Sequence, residues 1–230
     1  MGLKLSFNLF AAQPASAVAE ALRLYYRQHW QRSVQIYQSM YGNDVYETLE
    51  IYDCPPHWTV VDIDLEPEDW IRQRHLFVSQ ALSCPGFYLF EYDGDYWGYE
   101  FFDSGVVIDR FKSDASRNFH FEGMTCAGDA RKLAARLPFL NLQNIEPYLV
   151  RLPDIESTPE AEYDDFQTQT DVPPRPGDRY RRWDEGAMLN FLRALGVAGD
   201  FTGKWGRFEL AHPLHAAIDA MDFIPGAKDA

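Results

Sequence analysis

Cysteine and positive charge are scarce in this chain. Its 230 residues include 3 cysteines, Cys54, Cys84 and Cys126, and no two of them form a CxxC pair. A disulfide framework or a cysteine-based zinc site is therefore not expected, and a reducing cytoplasm is the default location. Lysine and arginine number 21 against 35 aspartates and glutamates, which gives a net charge of −14. Because nucleic-acid phosphates require basic patches, this balance argues against a nucleic-acid partner and fits a basic protein or a cationic ligand.

The chain also lacks long apolar runs and the motifs of readily recognised enzymes. No apolar run approaches the roughly 20 residues of a membrane span, and the N-terminus lacks the apolar core of a signal peptide. There is no GxGxxG, Walker-type, GxSxG or HExxH pattern. We therefore expect no membrane association and no cofactor, and binding is favoured over catalysis.

Aromatic residues, in contrast, make up 15% of the sequence and are densest from Gly86 to Ser113, GFYLFEYDGDYWGYEFFDSGVVIDRFKS. Two turn signals, Asp93-Gly94 and Asp103-Ser104-Gly105, divide this stretch into three β-prone runs. An Asp-Gly pair suits a two-residue hairpin turn, and the second signal suits a three-residue loop with glycine in the left-handed position. The stretch therefore predicts a meander of three antiparallel strands.

This choice of turns fixes which side chains face each other across the meander. Phe90 would lie opposite Trp97, and Phe101 would lie opposite Val107. One face would then collect most of the aromatic rings and be interrupted only by Asp109. We expect that face to belong to the core and the other face to be partly wet or partly covered by helices.

The remaining chain mixes helical and strand patterns without regular β-α-β alternation. Strand patterns cover residues 3–10, 45–52, 58–64 and 207–210, and helical patterns cover 16–25, 65–82, 130–137, 142–150, 183–195 and 212–221. Asp129 stands at the N-cap position of the third of these helices. The pattern predicts an α+β fold, in which a mostly antiparallel sheet contains the central meander at 86–113 and helices pack on it.

An acidic stretch divides the chain after this core. Pro153 to Asp171 contains seven acidic residues and no basic one, and a proline-rich run, residues 173–177, follows it. So acidic a stretch has little apolar surface to pack, which predicts a mobile loop. We expect a core domain at 1–152, an acidic and proline-rich loop at 153–178, and a C-terminal helical extension at 179–230 packing on the same core.

Two weak catalytic candidates lie in and beside the meander. Asp109 is a carboxylate expected among aromatic rings, where a raised pKa would suit acid–base work, although a structural hydrogen-bonding role fits equally. Cys126 precedes a helix N-terminus and has His120 nearby in sequence, which would suit a Cys/His nucleophile pair. A buried, inert thiol is the favoured interpretation.

A metal site is the third weak candidate. His212 and His215 are three residues apart and would share one face of a helix. Neither an acidic residue nor a cysteine stands at a supporting distance in the sequence, so we predict no metal site.

Part of the meander resembles a pattern found in uncharacterised bacterial proteins. The shared positions are Trp97, Tyr99, Gly105, Asp109, Phe111 and Ser113, a W-x-Y…G…D-x-F-x-S hairpin pattern. The opening MGLKLSF and the segments Trp183-Asp184-Glu185 and FLRALG, residues 191–196, are also similar. The resemblance implies a bacterial, cytoplasmic protein of a family without an agreed activity, and it assigns no catalytic residue.

The sequence as a whole predicts a non-catalytic, acidic protein-binding module. It would be an immunity or antitoxin-like factor that neutralises a basic protein partner by occlusion. The acidic side chains expected to contact the partner are Asp93, Asp95, Asp103, Glu160, Glu162, Asp164 and Asp165. The alternative is a small hydrolase or transferase with a carboxylate or Cys/His site beside the meander.

Overall fold

An antiparallel sheet runs through the centre of the structure. The structure, a computed structural model, describes residues 4–41, 48–62, 68–92, 96–115, 126–154, 157–184, 186–202, 207–211 and 213–219. Within these residues the sheet has seven strands, in the order β6-β5-β4-β1-β3-β2-β9. The strands are β1 Lys4–Ala11, β2 Thr48–Cys54, β3 Trp58–Asp62, β4 Pro85–Tyr92, β5 Tyr96–Asp103, β6 Val106–Lys112 and β9 Leu214–Asp219. A separate hairpin joins β7 Gly199–Thr202 to β8 Arg207–Leu210.

Helices cover both faces of this sheet, which confirms the predicted α+β class. They are α1 Ala15–Tyr41, α2 Glu68–Leu82, α3 Ala130–Arg136, α4 Leu142–Ile145, α5 Glu160–Thr170 and α6 Ala187–Ala194, with a 3₁₀ turn at Glu146–Tyr148. One apolar cluster joins α1 and α2 to one face of the sheet, and a second joins α3, α4 and α6 to the other. The predicted N-cap of α3 is confirmed, because the Asp129 carboxylate accepts the main-chain N–H groups of Arg131 and Lys132.

The meander itself is confirmed, but the predicted register of its first hairpin is wrong. Tyr92 pairs with Tyr96 and Phe90 with Gly98, so three residues, not two, connect β4 to β5. This one-residue slip exchanges the two faces of β4 relative to β5. Phe87 therefore shares a face with Tyr99 and Phe101.

The second turn also differs from the prediction. Asp103 pairs with Val106, and the two residues between them, Ser104 and Gly105, have φ values of 50° and 81°. Positive φ at both positions is the two-residue turn that matches strand twist. A bulge between the Phe101 and Phe102 pairs then absorbs one residue of β6. Beyond the bulge, Phe101 lies opposite Asp109 instead of Val107.

Burial on both faces explains the wrong register. Every residue of β5 from Tyr96 to Phe102 is buried, and so is every residue of β4 from Gly86 to Glu91. Strands that are buried on both sides do not show the alternation by which sequence distinguishes one register from the next. Aromatic side chains consequently occur on both faces.

Two further elements correct the sequence prediction. The acidic stretch contains a helix, α5, where a loop was expected. Glu160 and Glu162 lie in its first turn, where the helix dipole favours carboxylates. Near the C-terminus, Leu214–Asp219 is a strand paired with β2, so the helix predicted over 212–221 is wrong in its described part. The division of the chain into three segments stays a prediction.

Candidate functional site

Asp109 is 8% exposed and lies on the side of the sheet that packs against α3. Its Oδ2 accepts hydrogen bonds from the Tyr99 hydroxyl and from the main-chain N–H of Asp129, both at 2.8 Å. Its Oδ1 lies 3.2 Å from Lys132 Nζ. Burial and the neighbouring charge of Asp109 raise the pKa of Tyr99 well above its usual value. In this arrangement the carboxylate fastens the N-terminus of α3 to the sheet.

Cys126 lies beside the outer end of β6, where its carbonyl accepts the N–H of Lys112 at 3.1 Å. The residue is 3% exposed. Burial raises the pKa of its thiol, although the nearby charges of Arg151 and Arg110 act in the opposite direction. The thiolate, which is the nucleophilic form, is therefore disfavoured. His120 lies outside the described residues, so the Cys/His pair stays a prediction.

Sequence reasoning missed a buried ionic cluster around Glu100 on β5. The Glu100 side chain is fully buried, and its Oε1 lies 3.2 Å from both Arg72 Nε and His75 Nε2. Its Oε2 accepts a 2.8 Å hydrogen bond from Arg110 Nε. Burial by itself would raise the pKa of Glu100, but the hydrogen bond from His75 and the charges of both arginines outweigh burial and lower it. The carboxylate is therefore charged inside the protein.

His75 is held flat between two aromatic rings. Its imidazole stacks on Phe102, with centroids 4.6 Å apart and planes at 9°, and on Tyr88 at 5.5 Å. Burial lowers the pKa of His75 despite its contact with Glu100, so the ring is neutral at physiological pH. Because a carboxylate only accepts hydrogen bonds, Nε2 carries the proton. The other ring nitrogen, Nδ1, has no hydrogen-bond partner in the part of the chain that the structure describes.

Glu100 belongs to a row of facing residues that crosses the sheet beneath α1 and α2. Asn8 lies opposite Tyr88, Tyr88 opposite Glu100, and Glu100 opposite Arg110. Asn8 is fully buried, and among the described residues its side-chain amide has no hydrogen-bond partner. An unsatisfied buried amide costs on the order of 1–3 kcal/mol. The row thus introduces polar groups into an otherwise apolar layer, at a position visible only once the register is known.

The acidic residues predicted to contact a partner lie in separate places. Glu160, Glu162, Asp164 and Asp165 are all exposed on α5. Asp103 is half-buried at the end of β5, and its Oδ2 lies 3.6 Å from Arg136 Nε. Asp93 and Asp95 lie outside the described residues. The structure therefore gathers the four α5 acids on one helix and pairs Asp103 with a cation of the chain itself.

In α5, all of which the structure describes, none of the 11 residues is buried. Four residues three or four positions apart are half-buried and mark the side that faces the protein: Tyr163, Phe166, Gln167 and Thr170. The C-terminal end is held by the following segment, since Arg182 Nη1 donates to the Thr170 carbonyl and Trp183 Nε1 to the Thr170 hydroxyl, both at 3.2 Å. The helix is thus attached to the protein along this stripe, and its four carboxylates lie on the rest of the helix surface.

Beside this attachment lies a small cleft with room for about one water molecule. Its lining includes Glu91 and Trp97 from β4 and β5, and Arg182, Trp183 and Asp184 from the segment that precedes α6. Glu91 is 4% exposed. Its Oε1 accepts the main-chain N–H of Gly186 at 2.5 Å. The cleft therefore combines a fixed carboxylate with two indole rings.

Of the two histidines considered as a metal pair, His215 lies on a strand and not on a helix. His215 is exposed on β9, and His212 lies outside the described residues. Across the described ranges, no three His, Cys, Asp or Glu side chains are grouped so that they could hold a metal ion. Among the helices of those same ranges, none is long and apolar enough to cross a membrane.

Comparison of the chain with models of protein families, with curated proteins and with solved structures gave no match. The resemblance carried by the hairpin pattern at Trp97 to Ser113 therefore stays a prediction.

Proposed function

We propose that the protein is a non-catalytic binding module that docks a basic protein partner through the acidic face of α5. This face is defined as Glu160, Glu162, Asp164 and Asp165. By covering a cationic surface of the partner it would act by occlusion, in the manner of an immunity or antitoxin-like factor. The observation that carries the proposal is that four exposed carboxylates project from one helix that has no buried residue.

The charge of this face supports the proposal. The first acid and the last are five positions apart, which is about 7.5 Å along the helix axis and about one Debye length at physiological salt. The helix contains no lysine or arginine to neutralise them. A concentrated negative field of this kind accelerates association with a positive surface and rejects negative ones. We therefore expect binding whose rate falls as salt is added.

The surroundings of the catalytic candidates favour binding over the enzymatic alternative. The Asp109 carboxylate is engaged by Tyr99, Asp129 and Lys132, and the Cys126 thiol is buried with a raised pKa. The Glu100 cluster is internal and is matched by its own cations. The cleft lined by Glu91 and Trp97 has room for about one water molecule, far less than the roughly 300–1,000 Å³ typical of small-molecule sites.

Co-purification from the native host tests the proposal. The bait is the full-length protein in three forms: unaltered, with α5 neutralised by E160Q/E162Q/D164N, or with E20Q/D53N/E146Q. The last variant is a matched control, because Glu20, Asp53 and Glu146 are exposed and belong to elements other than α5. Both variants lose the same three charges and the same residue types.

At low salt we expect the unaltered bait and the control to recover the same basic protein. The α5 variant should recover at least about tenfold less of it, which corresponds to about 1.4 kcal/mol of binding free energy. Equal recovery by the α5 variant would refute the role of this face. An equal loss in both variants would show that only overall charge matters.

A further inference from the structure

α5 is attached weakly to the rest of the protein. None of its 11 residues is buried, and the aromatic side chains on its half-buried stripe are Tyr163 and Phe166. Its C-terminal end is anchored, because the Thr170 carbonyl accepts from Arg182 Nη1 and the Thr170 hydroxyl from Trp183 Nε1, both at 3.2 Å. Elements with few buried apolar contacts are those that open locally without global unfolding.

The N-terminal end of α5 has no side-chain cap. Pro159 occupies the N-cap position and makes no side-chain hydrogen bond to the first turn, whereas Asp129 caps α3 with its carboxylate. A capping side chain stabilises a helix by accepting an N–H group of the first turn. An isolated helix shorter than about 12–15 residues is also marginal in water. Unwinding of α5 should therefore begin at its N-terminal end, opposite the anchored Thr170.

Repulsion between carboxylates weakens the same part of the helix. Glu160 stands four positions before Asp164, and both carry a negative charge. Glu162 stands three positions before Asp165, so a second like-charged pair lies on adjacent turns. The helix dipole favours the two glutamates of the first turn, but its effect does not extend to the two aspartates. Aspartate is in addition a poor helix former.

From these features we propose that α5 is a conformational switch controlled by cations. In the free protein it unwinds from its N-terminal end while Thr170 stays anchored, and a polycation that neutralises the acidic face holds it in the helical form. The helix confines its four carboxylates to about 7.5 Å of its axis, whereas an extended chain would spread them over about 17 Å. A polycation therefore binds the helical form better and shifts the population toward it. The identity of this polycation as the basic protein partner rests on the proposed function, but the opening of α5 does not.

Hydrogen–deuterium exchange of the full-length protein, resolved to single amides by NMR, tests the opening. The N–H groups of Asp164 and Asp165 report on the N-terminal half of α5. The N–H of Asp171, which donates to the Gln167 carbonyl at 2.8 Å, reports on the anchored end. The N–H of Tyr99, a fully buried residue of β5, reports on global unfolding.

We expect the protection factors of the Asp164 and Asp165 amides to be at least about tenfold below that of Asp171 and at least about a hundredfold below that of Tyr99. Low concentrations of denaturant should accelerate exchange at Tyr99 and leave Asp164 unchanged, because local opening exposes little surface.

Variant D164N/D165N tests the role of charge, because asparagine and aspartate have similar helix propensities. At about 10 mM salt it should slow exchange in α5 by about 2- to 5-fold, the effect of relieving two like-charged pairs. Raising the salt to about 1 M, where the Debye length is about 3 Å, should slow exchange in the unaltered protein by a similar factor and remove the difference between the two proteins. The control E20Q/E146Q loses two charges from exposed glutamates of other elements and should behave like the unaltered protein.

N-acetyl-tetralysine amide is the cationic probe, and the same peptide with its four ammonium groups acetylated is the matched neutral probe. At low salt and about ten times its dissociation constant, the cationic peptide should slow exchange at Asp164 and Asp165 about tenfold. The acetylated peptide should have no effect. The D164N/D165N protein should respond less than the unaltered protein, and E20Q/E146Q should respond equally.

Equal protection of Asp164 and Tyr99, unchanged exchange in D164N/D165N at low salt, or equal effects of the two peptides would each overturn the proposed switch. The salt series on the unaltered protein gives the same decision on repulsion without any substitution. Normal partner recovery by the E160Q/E162Q/D164N bait would instead refute the proposed function, and the exchange results would leave the switch standing.

Discussion

Replacing Glu100 by glutamine, E100Q, should destabilise the protein substantially, because it removes the buried charge on which three side chains converge. The change keeps the shape of the side chain and leaves Arg72 and Arg110 facing a neutral amide. Removing one partner from a buried ion pair costs about 3–5 kcal/mol when the other is left without a counter-charge. The two arginines are 27% and 20% exposed and can turn partly toward water. That exposure reduces the expected cost to about 2–3 kcal/mol.

Denaturant unfolding at pH 7 measures this cost. For a chain of this length, 2–3 kcal/mol corresponds to a fall in melting temperature of about 4–12 °C. E146Q is a suitable control, because Glu146 is an exposed glutamate and the same substitution there should change stability by less than about 0.5 kcal/mol.

The effect of E100Q should also depend on pH in a defined direction. The pKa of Glu100 is lowered in the folded protein, so its stabilising contribution is complete above the unfolded-state pKa of about 4.3. That contribution is lost as the pH falls through the folded-state pKa. The difference in stability between the unaltered protein and E100Q should therefore be constant from pH 7 to about pH 5 and shrink below about pH 4.3. A variant as stable as the original at pH 7, or a difference that does not change in acid, would refute the assignment of a buried charged carboxylate.

Three further predictions concern the other buried groups. The pKa of His75 is lowered in the folded state. The stability that its buried, neutral ring contributes is therefore complete above about pH 6.5 and is lost as the pH falls below that value, by at most about 1.4 kcal/mol per pH unit. H75F should lack this component of the stability–pH curve. D109A should cost about 2–4 kcal/mol in denaturant unfolding, since the buried Tyr99 hydroxyl and the partly buried Asp129 N–H lose their acceptor. K132M should cost less than about 1 kcal/mol because Lys132 is 50% exposed, and equal costs would contradict the geometry. All 3 cysteines are buried, so thiol reagents at pH 8 should label them only after unfolding, and rapid labelling of Cys126 in the native protein would revive the nucleophile hypothesis.

The fold class could be predicted from sequence signals that involve only short stretches of the chain. The α+β architecture and the three meander strands follow from aromatic runs punctuated by glycine turns, and Asp129 identifies the start of α3 by capping chemistry. Each of these depends on residues within a few positions of one another. They are therefore visible without knowledge of the tertiary structure.

Features that depend on burial on both faces could not be predicted in the same way. The predicted register at Phe90 was wrong because both faces of β4 and β5 are covered, so these strands lack the alternation of polar and apolar residues that would indicate the register. The Glu100 cluster was invisible for a related reason. Its partners come from α2, 25 and 28 residues away, and from a strand whose register was shifted.

The acidic residues of this face were identified from the sequence, but the helix that carries them was not predicted. Glu160, Glu162, Asp164 and Asp165 were recognised as exposed acids, yet the stretch was expected to be a loop because it is poor in apolar residues. A few half-buried side chains such as Tyr163 and Phe166 suffice to attach it as a helix. The cleft lined by Glu91 and Trp183 joins segments about 90 residues apart in sequence, which no local pattern indicates.

The most direct test of the central claim is the association rate between this protein and the basic partner recovered with it. The α5 variant E160Q/E162Q/D164N and the matched control E20Q/D53N/E146Q are compared by surface plasmon resonance at about 50 and 200 mM salt. Surface charges are screened weakly at the lower concentration and strongly at the higher one. If α5 is the docking face, the α5 variant should associate at least about tenfold more slowly at the lower salt and lose most of its salt dependence, while the control behaves like the unaltered protein. Identical association rates for the two variants would contradict the account.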